Sequence, residues 1–79
     1  MVYIHVSAIK LVSGQIITGL RHHNCLAEIK RLGLSRIGSV QGFLTNKNEF
    51  VDRKTAVEIA YLAGQIREKK TRLYSEDLW

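Results

Sequence analysis

The chain has 79 residues, 46 % of them hydrophobic, with 12 Lys and Arg against 7 Asp and Glu, one cysteine and no proline. That is room for one domain over residues 1–79 and too many Ile, Leu and Val for a disordered segment. A lone Cys25 excludes an intrachain disulfide, and no apolar run reaches the roughly 18 residues of a membrane helix.

Residues Val2–Val12 alternate loosely and are rich in Val, Ile and Tyr, which predicts a strand. Ser13-Gly14 breaks it, Gln15–Thr18 predicts a second strand, and the spacing predicts a hairpin with a two-residue turn. After Gly19 a first helix is expected from His23 to Leu32, with Leu26, Ile29 and Leu32 inward and Gly33 as its stop. Val40–Thr45 and Glu49–Val51 read as two more strands around an Asn46-Lys47-Asn48 turn. Asp52 is placed to cap a second helix whose buried stripe is Ala56, Ile59, Ala60 and Ala63, reinforced by Val57 and Ile66. Arg67, Lys69, Lys70 and Arg72 are expected to crowd its end. The fold class is therefore α+β: a ββαββα domain, an antiparallel sheet with two helices.

The N-terminal residues lack the basic start and cleavage site of a secretory signal, so the expected location is the cytoplasm. A small core without a disulfide favours association, and a homo-oligomer is expected. The charge of +5 favours anionic partners: nucleic acid, a membrane surface or a phosphate-bearing small molecule.

Several local patterns could carry chemistry. Arg21-His22-His23 falls where a strand gives way to a helix, where backbone N–H groups and the helix dipole favour an anion. The bland alternative is a capping histidine beside solvated surface. His22, His23 and Cys25 are too few and wrongly spaced for a zinc site. Cys25 with His22 could form a nucleophile and base, but a thiol on the inward face of a helix is usually structural. With no Gly-x-Ser-x-Gly or phosphate-binding Gly-rich loop, catalysis is not expected, and no metal or cofactor is implied. In Gln41-Gly42-Phe43, a strand glycine permits close backbone approach and Phe43 offers a flat face for a base. The alternative there is a core phenylalanine beside a bulge. Scattered lysines and arginines keep nucleic-acid binding as a rival, although no recognised nucleic-acid-binding pattern is present.

The segments I-T-G-L-R-H-H-N-C (17–25), Q-G-F-L-T (41–45), F-V-D-R-K-T-A (50–56), I-A-Y-L-A-G-Q (59–65) and S-E-D-L-W (75–79), in this order, resemble a family of small bacteriophage proteins. That is the first-described Thoeris anti-defence family, sponges that hold cyclic ADP-ribose signals from bacterial TIR-domain enzymes without hydrolysing them. The resemblance covers nearly the whole chain. It implies a homo-oligomer built on dimers, up to hexamers, with pockets near subunit boundaries, and for some members a second site for cyclic oligonucleotides. It further implies the cytoplasm of an infected bacterium and neither membrane nor specific nucleic-acid partners. Carried over by position, Arg21 and His22 would contact pyrophosphate, Phe43 would stack on adenine, and Asp52 would bond base or ribose hydroxyls. Gln65 matches the A-G-Q position, Lys69 would be a further phosphate partner, and Asp77 belongs to S-E-D-L. The alternative is a small basic phage protein that binds nucleic acid or a host protein.

Overall fold

The computed structural model describes all residues, Met1–Trp79. Four strands, β1 (Ile4–Lys10), β2 (Ile16–Gly19), β3 (Val40–Thr45) and β4 (Phe50–Asp52), form one antiparallel sheet in the order β2-β1-β3-β4. Helices α1 (His22–Arg31) and α2 (Arg53–Leu62) follow β2 and β4, which gives the expected ββαββα α+β architecture.

The second hairpin closes on the expected Asn46-Lys47-Asn48 turn, with Thr45 N–H on Glu49 O at 2.9 Å, whereas the first differs from the simplest expectation. Between β1 and β2, Leu11 N–H donates to Gln15 O at 2.8 Å and Gly14 N–H to Leu11 O at 2.8 Å. That leaves a three-residue loop, Val12-Ser13-Gly14, rather than the two-residue turn. Gly14 at φ 95° supplies the left-handed residue such a loop needs. In the second hairpin the non-glycine Asn48 takes φ 63°, a conformation asparagine tolerates.

Side-chain alternation divides the sheet into a helix-covered and an open face. Ile4, Ser7, Ile9, Phe43 and Thr45 are buried on the covered face; a register shift between Ile4 and Val6 keeps Ile4 there. Two apolar clusters result. Under α2 lie Ile4, Phe43, Ala56, Val57, Ala60 and Leu73; under α1 lie Ile9, Leu11, Ile17, Cys25 and Ile29. On the open face Phe50 is half-buried and its ring reaches over Gly42.

Both helices depart from their expected bounds. α1 starts at His22, one residue early, and buries His22, Cys25 and Ile29, while Leu32 is outside the helix core and exposed. α2 stops at Leu62 because Gly64, at φ 75°, turns the chain, with Gln65 N–H closing on Ala60 O at 2.8 Å. Ile66 therefore reaches the core from irregular chain, and Arg67, Lys69, Lys70 and Arg72 lie beyond the helix rather than on its last turn. The following segment returns across the start of α2. Leu73 is fully buried, its N–H donates to Arg53 O at 3.1 Å, and Ser75–Asp77 form a single 3-10 turn. No helix is long and apolar enough to cross a membrane.

Candidate functional site

Helices α1 and α2 follow the two edge strands, β2 and β4, and their first residues meet. His22 Nε2–H donates to Gly42 O at 2.7 Å, and Arg53 Nη2–H approaches His22 Nδ1 at 3.5 Å. These partners select the neutral Nε2–H tautomer. His22 also packs edge-on against Phe43, ring centroids 5.0 Å apart. Burial pushes its pKa down, and the neighbouring Arg53 charge acts the same way against the Gly42 bond and Glu76.

The sign of the consequence is definite. A histidine held neutral in the fold adds nothing above its unfolded pKa of about 6.5 but opposes folding below it, where the unfolded chain takes up a proton. Wild-type stability should fall between pH 7 and pH 5 more steeply than that of His22→Gln, by at most about 1.4 kcal/mol per pH unit. Parallel denaturant titrations at the two pH values would show it; equal slopes would mean that His22 titrates freely.

The expected Arg21–His22 phosphate cradle is closed by the chain itself. The Arg21 guanidinium donates to the main-chain oxygen of Trp79, and His22 N–H donates to Ser75 Oγ at 3.4 Å. Ser75 in turn donates to the Glu76 carboxylate at 3.3 Å, so a carboxylate already faces the positive end of α1 through one hydroxyl. Phe43 is not the exposed stacking face expected of it. Its ring is 0 % exposed, in the core under α2, and presents no face to a base.

The remaining expected site residues are dispersed. Gln65 pairs like a strand residue, accepting from Ile4 N–H at 2.8 Å and donating to Ile4 O at 2.9 Å. Lys69 lies 3.2 Å from Glu58. Asp77 accepts from Lys70 Nζ at 2.6 Å and from Tyr74 N–H at 2.8 Å. Partial burial pushes its carboxyl up, but those two donors outweigh it and hold the pKa below the ordinary value. Gln65 and Asp77 do border one hollow of about 490 Å³, with Arg67 and Lys70. Asp52 Oδ1 accepts from Thr55 N–H at 2.8 Å, the cap expected of it, and that bond holds its pKa low. Cys25 is fully buried, and burial pushes its thiol up to about 11, far from a reactive thiolate.

Asp52 also borders the most distinctive charged feature, a hollow of about 270 Å³ whose other walls are Gln41, Arg53, Lys54 and Arg72. The molecule's three ion pairs are Arg31–Glu28, Lys69–Glu58 and Lys70–Asp77, so none of these three cations is paired. Arg53 and Lys54 occupy the first two positions of α2, where the helix dipole disfavours positive charge. Local conflicts of this kind occur at functional or strained positions, and this one is present in the sequence: two cations directly behind a capping Asp52. Arg72 continues into a second hollow of about 430 Å³ with Lys70, Thr71 and Tyr74. A fourth depression of about 470 Å³, apolar and walled chiefly by Leu26, Ala27, Ile29 and Leu34, lies against α1 and holds none of the expected site residues.

No curated protein and no solved structure matches the chain. A family model described as "Phage T4 y16D protein" matches residues 3–79, nearly the full length. The chain therefore belongs to the phage T4 y16D protein family and is a small bacteriophage protein.

Proposed function

We propose that this protein is an anti-defence sponge that captures cyclic ADP-ribose-type signals and holds them intact, as a homo-oligomer. The observation that carries the reading is the unpaired trio Arg53, Lys54 and Arg72 around one hollow, two of them against the dipole of their own helix. A bound pyrophosphate would offset the positive charge that Asp52 leaves in excess there and gain charge-assisted hydrogen bonds from Lys54 and Arg72. The adjoining hollows together fall in the ~300–1,000 Å³ range of small-molecule sites. Support also comes from the resemblance to the Thoeris anti-defence family and from membership of a phage family.

Purified protein incubated with cyclic ADP-ribose isomers should elute with bound nucleotide at a mass above 9 kDa and release the nucleotide unchanged on heating. Linear ADP-ribose in the released fraction would make it an enzyme; no retained nucleotide would remove the reading. Arg72→Gln should weaken retention about tenfold to a hundredfold, the effect of one lost charged hydrogen bond worth roughly 1.5–3 kcal/mol. Wild-type retention by that variant would detach Arg72 from the ligand.

A second reading has its own support. Lys70 and Arg72 share a hollow with an exposed aromatic, Tyr74, and Lys54 lines the adjoining one, the combination with which single-stranded nucleic acid is held. Salt-sensitive binding of oligothymidylate that cyclic ADP-ribose fails to displace would favour it.

A further inference from the structure

Tyr74 sits between two fully packed residues yet points outward. Leu73 is 0 % exposed and Ser75 3 % exposed, while Tyr74 is 38 % exposed. Its position is fixed on both sides, by Leu73 N–H on Arg53 O at 3.1 Å and by its own N–H on Asp77 Oδ2 at 2.8 Å. The ring is held too. The Arg53 guanidinium lies 4.8 Å from its centroid, and Arg53 is itself anchored against His22. Lys70 Nζ, 5.7 Å from the same centroid, is tethered to Asp77. An exposed aromatic normally gains little by being immobilised in water, because ordering it costs side-chain entropy. A ring already ordered at the edge of a cavity is preorganised for a flat partner.

That cavity adjoins the cationic hollow through Arg72, the residue common to both. We propose that Tyr74 is the base-stacking surface of an adenine nucleotide whose phosphates lie in the adjoining hollow against Arg72 and Lys54. The proposal rests on the nucleotide-binding reading above and assigns to Tyr74 the role that Phe43, buried in the core, does not fill. Thr71, which lines the same hollow as Tyr74 and Arg72, offers a hydroxyl for the base edge or ribose. Arg53 stays behind the ring, as its orienting group.

The test separates the two handles of the ligand. Calorimetric titration of the intact protein with inorganic pyrophosphate and with cyclic ADP-ribose should give binding of both, cyclic ADP-ribose the tighter. Tyr74→Ala should weaken cyclic ADP-ribose about tenfold to a hundredfold, the usual effect of losing one base–aromatic stack. Its affinity for pyrophosphate should stay within about twofold, and Tyr74→Phe should bind both probes like the wild type. Unchanged cyclic ADP-ribose affinity in Tyr74→Ala overturns the assignment of Tyr74 while leaving the nucleotide reading intact. A wild type that binds neither probe overturns that reading, and this proposal with it. Should Tyr74→Ala fail to fold, the wild-type complex decides: nuclear Overhauser contacts between adenine H2 or H8 and the Tyr74 ring are expected, and their absence at saturation overturns the proposal.

Discussion

Phe43→Ala should lose a large share of the protein's stability. The ring is fully buried, closes the core beneath Ala56, Val57 and Ala60, and supports the edge of His22. Truncating a phenylalanine so placed costs about 3–5 kcal/mol, because the lost transfer energy is joined by the cavity left behind. A domain of 79 residues has in total about 4–12 kcal/mol. The variant should melt roughly 12–40 °C below the wild type, or be unfolded at room temperature. Phe43→Leu keeps much of the volume and should remain folded, at a smaller cost. Thermal melts of the three proteins make the comparison. A Phe43→Ala protein melting within a few degrees of wild type would show that the ring is not a core element, and would restore it as a candidate for stacking on a base.

Gly42→Ala should be nearly as damaging, for a different reason. A Cβ at this position would stand 2.1 Å from Val51 O and 3.1 Å from Val51 C, both backbone atoms, and 2.8 Å from Phe50 Cζ. Side chains can swing aside, but the Val51 carbonyl belongs to β4 where it passes into α2, so β3 and β4 would have to separate. That pair carries the register Gly42↔Asp52, Phe43↔Val51 and Leu44↔Phe50, and with it the start of α2. Overpacking typically costs about 1–3 kcal/mol, and a collision with backbone belongs at the upper end or above. The cause can be isolated with a second change. If the Phe50 ring were the obstacle, removing it would recover the loss, and Gly42→Ala would cost little in a Phe50→Ala background. The close approach to Val51 O implies no recovery, and urea midpoints of the two singles and the double would show which atom decides.

Both results bear on the site. His22 donates to the carbonyl of Gly42, packs on Phe43 and faces Arg53, so the Q-G-F segment frames the start of α2 from beneath. The cationic hollow, bordered by Gln41 and Arg53, then draws its geometry from Gly42 and Phe43 although neither lines it.

Much of the architecture follows from short-range features that a sequence carries on its face. Apolar alternation in Ile4–Lys10 and Val40–Thr45 specified strands, and glycine and asparagine at the hairpins specified turns. Asp52 before an apolar stripe specified the start of α2, and its bond to Thr55 N–H is the expected one. What those features leave undetermined is which face of a strand becomes the core. Phe43 and Phe50 are both strand phenylalanines; the register of β3 against β1 and β4 put the first inside and left the second half-buried over Gly42. Chain folding decided the partners as well. Gln65 bonds Ile4 across 61 positions and Arg21 bonds Trp79 across 58, and no local pattern encodes either meeting. The basic segment after Gly64 read as a helix end because composition says nothing of where chain direction reverses. Once reversed, it brings Arg72 and Tyr74 beside Arg53 and Lys54. Local propensity is a property of neighbouring residues, whereas a binding surface is assembled by long-range packing. The strands, the Asn46-Lys47-Asn48 turn and the cap were therefore determined by the sequence alone, and the candidate site by the tertiary fold.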